Sequence, residues 1–264
     1  MTIDAAVCTK NRPRKVDSAL LRIKDIKGIN QIHVFDGSEN FQNIITRKEK
    51  HKNVNIVVIP SEMLLGAIRN FIFTHIKTKY IAMIDDDIIL EKGWIEVLMK
   101  EFQNSNVVAV SGKIVYVGGL LKKIFMANKR TTGGSGGAAI YDREAILNLG
   151  NFNKNIHRGE DIELELRIRA SGKKWVKSQQ IHAFHPSSLT EFLNRPKANI
   201  IGWDFIMKES KQKTSFILER FASTLIMPFY YTFRTLDPRA GGIIFIYKFK
   251  SLYYYLTKKY LEYS

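Results

Sequence analysis

The sequence predicts an α/β protein, a mainly parallel sheet flanked by helices, with a helical, basic and aromatic segment appended at the C-terminal end. Three observations carry this. Short apolar runs alternate with stretches of helical spacing through the first half of the chain, the pattern of strands covered on both faces by crossover helices. Polar clusters, Thr9-Lys10-Asn11, Asp36-Gly37-Ser38 and Asp85-Asp86-Asp87, stand where three of those runs end, and open α/β sheets bind ligands beyond the carboxyl ends of their strands. From about Ser187 the pattern changes to long apolar and aromatic stretches with interleaved Lys and Arg, so the expected division is 1–186 for the sheet domain and 187–264 for the helical segment.

In order along the chain, Ile3 to Cys8 reads as a short buried strand. Val16 to Ile26 places Leu20, Leu21, Ile23 and Ile26 at helical spacing. Gln31 to Phe35 is a strand running into the Asp36-Gly37-Ser38 turn, and Val54 to Ile59 is an apolar strand stopped by Pro60. Leu65, Ile68, Ile72 and Ile76 mark one face of a helix, and Tyr80 to Ile84 is the next strand. Val107 to Val117 is a longer strand. Gly133-Gly134-Ser135-Gly136-Gly137 is a loop leading into Ala138-Ala139-Ile140-Tyr141. Asp142 has the chemistry of an N-cap for a helix through Leu149. Glu160 and Asp161 open a helix containing Ile162, Leu164, Leu166 and Ile168, and Trp175 to His185 is strand and loop. In the last segment Phe216 to Phe233 and Ile243 to Leu261 are the most apolar parts, with Arg239-Ala240-Gly241-Gly242 expected to break two helices apart.

Composition bounds the function. The chain of 264 residues is 45% hydrophobic and carries a formal net charge of +16, which implies an anionic partner: nucleic acid, an acidic membrane surface or a phosphorylated substrate. The single Cys8 excludes an internal disulfide and reads as a small core residue in a reducing compartment. Met1-Thr2-Ile3-Asp4 lacks a basic, apolar leader, and no uninterrupted apolar run reaches the ~18 residues of a spanning helix. The expected location is therefore cytoplasmic. Lysines beside tyrosines in the tail, from Tyr247 and Lys248 to Lys258, Lys259 and Tyr260, have the pattern of an interfacial segment at the cytoplasmic face of an anionic membrane. The alternative is a helical subdomain packed on the sheet.

Asp85-Asp86-Asp87 is the most informative cluster. Adjacent carboxylates repel, and the usual compensation is a divalent cation, Mg²⁺ or Mn²⁺, that keeps positions open for phosphate oxygens. Taken alone, the triplet reads equally as a solvated acidic turn. In a nucleotide site Asp36 can accept an N–H from a base edge, Asp87 can hold the ion with Asp85 assisting, and Asp86 can reach ribose hydroxyls. Arg69 adds positive charge beside the acids. If a sugar–phosphate bond breaks, a carboxylate must deprotonate the attacking hydroxyl, and Glu160 and Asp161 are the candidates. Both also suit the positive end of a helix dipole.

The ordered set of motifs resembles family 2 glycosyltransferases, which have the GT-A fold. Val7-Cys8-Thr9-Lys10-Asn11-Arg12-Pro13 looks like their opening strand and loop, Asp36-Gly37-Ser38 their second strand end, and Arg69-Asn70 with Ile84-Asp85-Asp86-Asp87 their helix and aspartate metal motif. The stretch from Gly136-Gly137 to Ala145, then Gly150-Asn151-Phe152, looks like their acceptor-side segment, and Gly159-Glu160-Asp161 their acid pair. The resemblance covers about residues 3 to 185. It implies transfer of a sugar from a UDP-, GDP- or dTDP-linked donor to a hydroxyl acceptor, a glycan or a lipid-linked one, with inversion. It places Thr9, Lys10, Asn11, Asp36, Arg69 and Asp86 in the nucleotide pocket, and Asp85, Asp87 and His185 at a divalent cation, Mn²⁺ or Mg²⁺. Asp161 becomes the catalytic base and Glu160 shapes the acceptor site; His182 competes with His185 for its role. The sequence departs from the family at Lys10, where tyrosine is common, and at Phe35-Asp36, where two aspartates are.

Two other classes fit the sequence less well. A nucleic-acid-binding protein fits the charge, but the chain carries no helix-turn-helix, zinc or RNA-recognition motif, so no nucleic acid is expected. A nucleotidyltransferase would carry a glycine-rich phosphate loop near its first strand, and Thr9-Lys10-Asn11-Arg12-Pro13 is not one; the later glycine run lacks the Lys-Ser/Thr ending of a P-loop.

Overall fold

The computed structural model describes residues 2–40, 54–117, 119–127, 136–156, 159–190, 192–194 and 213–257. Gly133, Gly134 and Ser135 of the glycine run, His51, His157, and the basic-aromatic Lys258, Lys259 and Tyr260 lie outside the described residues.

The chain divides into two compact units, Met1–Ile114 with Thr131–His185, and Val115–Arg130 with Pro186–Ser264. The second unit thus takes in residues 115–130, which the expected division at 187 had left with the sheet.

The strands are β1 (Ile3–Thr9), β2 (Ile29–Asp36), β3 (Val54–Val58), β4 (Tyr80–Ile84), β5 (Ile89–Leu90), β6 (Val107–Val117), β7 (Ala138–Asp142) and β8 (Lys174–Pro186). They form one sheet in the order β3-β2-β1-β4-β7-β6-β8-β5. The pairs β2–β3, β1–β2 and β1–β4 are parallel, whereas β4–β7, β6–β7 and β5–β8 are antiparallel. β1 is buried on both faces because alternate residues feed different layers. Ile3, Ala5 and Val7 join a core with Val16, Leu20, Ile23, Trp94 and Leu98. Ala6 joins Phe35, Ile72, Phe73, Tyr141, Phe152 and Leu164 on the other side.

Helix α1 (Pro13–Ile23) begins on Pro13, whose fixed φ suits a first helical position. Its buried stripe is Val16, Ala19, Leu20 and Ile23, and truncating the fully buried Leu20 to alanine would cost about 2–5 kcal/mol. Helix α2 (Leu65–His75) buries Ile72 and Phe73. Its first turn approaches the 150s loop so closely that a Cβ on Gly66 would overlap the carbonyl oxygens of Asn153 and Ile156. Helix α3 (Trp94–Met99) follows β5, and α5 (Arg143–Asn148) starts on the expected cap, with Asp142 Oδ1 accepting from Ala145 N at 3.0 Å. Helix α6 spans Glu160–Ala170.

In the second unit, α4 (Leu120–Ala127), α7 (Lys213–Thr235) and α8 (Pro238–Thr257) share a small core of Leu121, Ile124, Phe192, Tyr231, Ala240 and Ile244. The expected break at Arg239-Ala240-Gly241-Gly242 is corrected: these residues are helical. The chain turns at Leu236, which adopts φ 52°, and at Asp237, ahead of Pro238. Gly241 instead permits close helix packing, since a Cβ there would overlap Thr232 Oγ1 and crowd the Pro228 carbonyl.

Candidate functional site

The parallel half of the sheet brings the ends of β1, β2 and β4 side by side, with Thr9 in register with Asp36. Gly37 N donates to Thr9 O at 3.0 Å, which carries the pairing one step into the loops. There the two loops are tied together: Asn11 N donates to Ser38 Oγ at 2.8 Å and Glu39 N to Asn11 Oδ1 at 3.1 Å. Asn11 adopts φ 53°, a left-handed conformation that asparagine tolerates better than most residues. Asp36 is fully buried and accepts from Ser38 N at 2.9 Å, so in this structure it shapes the loop. Lys10 reaches the other way, donating to the Ser61 carbonyl at 2.6 Å.

At the end of β4 the three acids separate. Asp86 is buried and accepts from Thr9 Oγ1 at 2.8 Å and from Arg12 Nη1 at 3.2 Å. Burial pushes its carboxyl above the usual range, against the Thr9 and Arg12 contacts. Asp87 lies 3.6 Å from Arg12 and 3.4 Å from Lys15, and its Oδ1 is 3.4 Å from His185 Nε2. Asp85 is turned toward Arg69, 3.9 Å away, with 42% of its side chain still exposed, and a Cβ on Gly137 would fall on its carboxylate. Desolvation raises the Asp85 carboxyl to about 6; Arg69 opposes this, and Asp87, Asp86 and Asp161 add to it.

Behind Asp85 is a buried ionic centre. Arg69 Nη1 lies 2.5 Å from Glu160 Oε1, and both side chains are almost wholly buried. Neither Nη1 nor Nε makes a hydrogen bond of good angle, so the attraction is charge on charge. Burial alone would lower the Arg69 pKa, but the carboxylates of Glu160, Asp85 and Asp161 raise it, and the guanidinium stays charged. The Glu160 carboxyl moves the opposite way to favouring its charge: desolvation pushes it up to about 7 despite Arg69, helped by Asp161. The two directions agree physically, because one cation facing three carboxylates cannot compensate them all.

Asp161, one residue on, accepts from Gly136 N at 3.0 Å through Oδ2 and from its neighbour Ile162 N at 2.9 Å through Oδ1. Adjacent residues of one strand end therefore contact both acidic groups, since Asp85 N donates to Gly137 O at 2.7 Å. The wall is completed by Asn70, which donates to Phe152 O at 2.7 Å and whose carbonyl accepts from Asn151 at 3.0 Å.

The family model for glycosyl transferase family 2 matches residues 4–156. The chain belongs to that family. No curated protein matches this glycosyltransferase in sequence. Among solved structures it is similar to the mannosyltransferase PcManGT from Pyrobaculum calidifontis in complex with GDP-Man and Mn²⁺, at 14% identity and a TM-score of 0.66, covering 97% of this chain and 87% of that one. It is also similar to GalNAc-T7 with UDP, GalNAc and Mn²⁺, at 12% identity and a TM-score of 0.56 over 70% of this chain and 43% of that one. The likeness establishes the GT-A fold, a mixed α/β fold with an eight-stranded sheet and helices on its flanks.

In this glycosyltransferase, Thr9, Asp86, Asp87 and His185 come together, as do Arg69, Asp85, Glu160 and Asp161. His182 pairs with Glu91 at 2.9 Å. His33 is buried against Asp4. Sequence reasoning left Arg12 and Lys15 out of the site. Their signal was two cations flanking the start of α1, where the helix dipole favours acids. Among the described residues no three His, Cys, Asp or Glu side chains converge closely enough to hold a metal on their own. Asp87 and His185 supply one carboxylate and one imidazole. That pair fits a divalent ion drawing its other ligands from phosphate oxygens and water.

Proposed function

We propose that the enzyme transfers a sugar, with inversion, from a nucleoside-diphosphate donor to a hydroxyl acceptor. The observation that carries this is the coupling of two acidic groups through one peptide unit, Asp161 to Gly136 N and Asp85 against Gly137. On this reading Asp161 takes a proton and Asp85 faces the diphosphate. The acceptor oxygen forms a bond to the anomeric carbon as the bond from that carbon to the diphosphate oxygen breaks. The hydroxyl proton passes to Asp161, whose carboxylate is aimed by the two backbone N–H groups it accepts. Glu160, fixed on Arg69, shapes the floor beneath the acceptor. Arg12 and Lys15, about half exposed beside Asp86 and Asp87, offset charge developing on the departing diphosphate. The nucleoside packs against the joined Thr9–Asn11 and Asp36–Ser38 loops. A divalent cation, Mn²⁺ or Mg²⁺, held by Asp87 and His185 with Asp85 nearby, would supply Lewis-acid neutralisation of the diphosphate. The Mn²⁺ and the GDP-Man or UDP of the two structural neighbours support this reading.

The test is thermal stabilisation by UDP, GDP, dTDP and CDP, each with and without Mn²⁺ or Mg²⁺. A ligand at a hundred times its dissociation constant adds about 2.7 kcal/mol. One base class should stabilise, with the ion, and Asp87→Ala should abolish the shift. Asp161→Asn should bind that nucleotide normally yet lose transfer by about 10²–10⁴-fold. Stabilisation by none, or undiminished transfer by Asp161→Asn, would overturn the reading.

A further inference from the structure

Helices α7 and α8 are turned out relative to an ordinary surface helix. On α7, Phe221, Leu225, Phe229 and Phe233 recur at intervals of four and all face solvent, with Phe229 73% and Phe233 81% exposed. Leu236 at the turn is 89% exposed, while the polar Thr224 is buried. On α8, Phe245, Phe249 and Tyr253 repeat the interval of four, with Leu256 three residues on, and all four are exposed. At ~150–250 Å² per aromatic ring, the five phenylalanines of the two stripes alone leave about 600 Å² in water. The largest apolar patch on a typical monomer is about 300–600 Å² in all. Exposed apolar surface on this scale marks a docking site.

Charge identifies the occupant. Residues 115–130 and 186–264 together contain sixteen Lys and Arg against six Asp and Glu. Exposed cations of this unit include Lys122, Lys123, Arg234 and Arg239. A second copy would bring an equal positive charge against the first and be repelled, whereas an anionic lipid leaflet complements it. Among the described residues no helix is long and apolar enough to cross a membrane. Exposed aromatic stripes accompanied by cations are instead the composition of helices lying in the headgroup plane.

We infer that α7 and α8 form a membrane-docking surface that seats the second unit in an anionic leaflet, with Phe229 and Phe233 inserted and the basic residues held at the headgroups. The inference is independent of the donor and of the transfer mechanism.

Co-sedimentation of the full chain with vesicles tests it, comparing phosphatidylcholine alone with phosphatidylcholine carrying about one-third phosphatidylglycerol. The protein should partition onto the anionic vesicles, and high salt should weaken that partition. Phe229→Glu with Phe233→Glu should reduce it by at least about tenfold without changing the circular dichroism spectrum. Lys122→Glu with Lys123→Glu, on a different helix, should reduce the preference for anionic over neutral vesicles. Failure of the native chain to bind anionic vesicles would overturn the inference, as would equal binding to neutral ones. So would a dimer, seen by light scattering, that the double phenylalanine variant dissociates.

Discussion

Replacing Arg69 by methionine keeps the length of the side chain and removes its charge from the centre of the site. Arg69 and Glu160 are 4% and 3% exposed, so water screens neither. Removing one partner of such a pair strands the other, at a cost of about 3–5 kcal/mol. For a domain of this size each kcal/mol moves the midpoint by about 2–4 °C, so the expected fall in Tm is on the order of 10 °C. The loss also has a sign in pH. The Glu160 carboxyl is already pushed up to about 7, and without the guanidinium it rises further. An acid whose folded pKa lies above its unfolded value is neutral in the fold at low pH. It becomes a burden only as pH climbs past the unfolded value toward the folded one. Arg69→Met should therefore be milder at pH 5 than at pH 8. Adding Glu160→Gln should restore much of the stability at pH 8, giving a coupling energy of about 2 kcal/mol or more in the double-mutant cycle. Thermal and urea unfolding of the four proteins at both pH values is the assay. Additive effects, or a loss independent of pH, would refute the account of one buried cation compensating several neighbouring acids.

Four further outcomes follow from the same contacts. Thr9→Val removes the 2.8 Å bond to buried Asp86 and should cost about 1–3 kcal/mol by urea denaturation, with weaker nucleotide binding by calorimetry. Gly137→Ala places a methyl on the Asp85 carboxylate; it should lower Tm and abolish cation-dependent nucleotide stabilisation, both read by thermal shift. Gly241→Ala should loosen the α7–α8 hairpin by about 1–3 kcal/mol and leave nucleotide affinity unchanged. Glu160→Gln in the native background should gain stability relative to the parent as pH rises from 5 to 8, by the same linkage, in a Tm series across that range.

Much of the fold was legible because the elements that matter are apolar on both sides. Tyr80–Ile84 was bounded correctly, since a continuous apolar run closed by acids has few alternatives, and Val107–Val117 was bounded by the turn residues on either side of it. Strand direction was not legible: a strand buried on both faces reads the same whether its neighbour is parallel or antiparallel, so the antiparallel pairing of β7 with β4 came only from the structure. The acids were visible as motifs, but their separation was not. Consecutive side chains leave the backbone in different directions, so Asp85 meets Arg69 and Asp86 meets Thr9. His182 and His185 could not be ranked until Glu91 claimed the first. The glycines before Ile243 read as a break because propensity treats glycine as a loss, whereas Gly241 serves packing against a neighbouring helix.

The register of β7 on β4, with Ala138 opposite Ile84, has a consequence for how such a site can be varied. Gly136 and Gly137 precede the first paired residue, so the contact points for Asp161 and for Asp85 are gauged by one peptide, about 3.8 Å between successive Cα atoms. No side chain sets that spacing, and none can be exchanged to adjust it. Insertion or deletion of one residue at the start of β7 would shift the gauge by a full step and turn each later side chain to the opposite face of the sheet. A change of acceptor must then be made by altering what surrounds this gauge, with the gauge itself carried through unaltered.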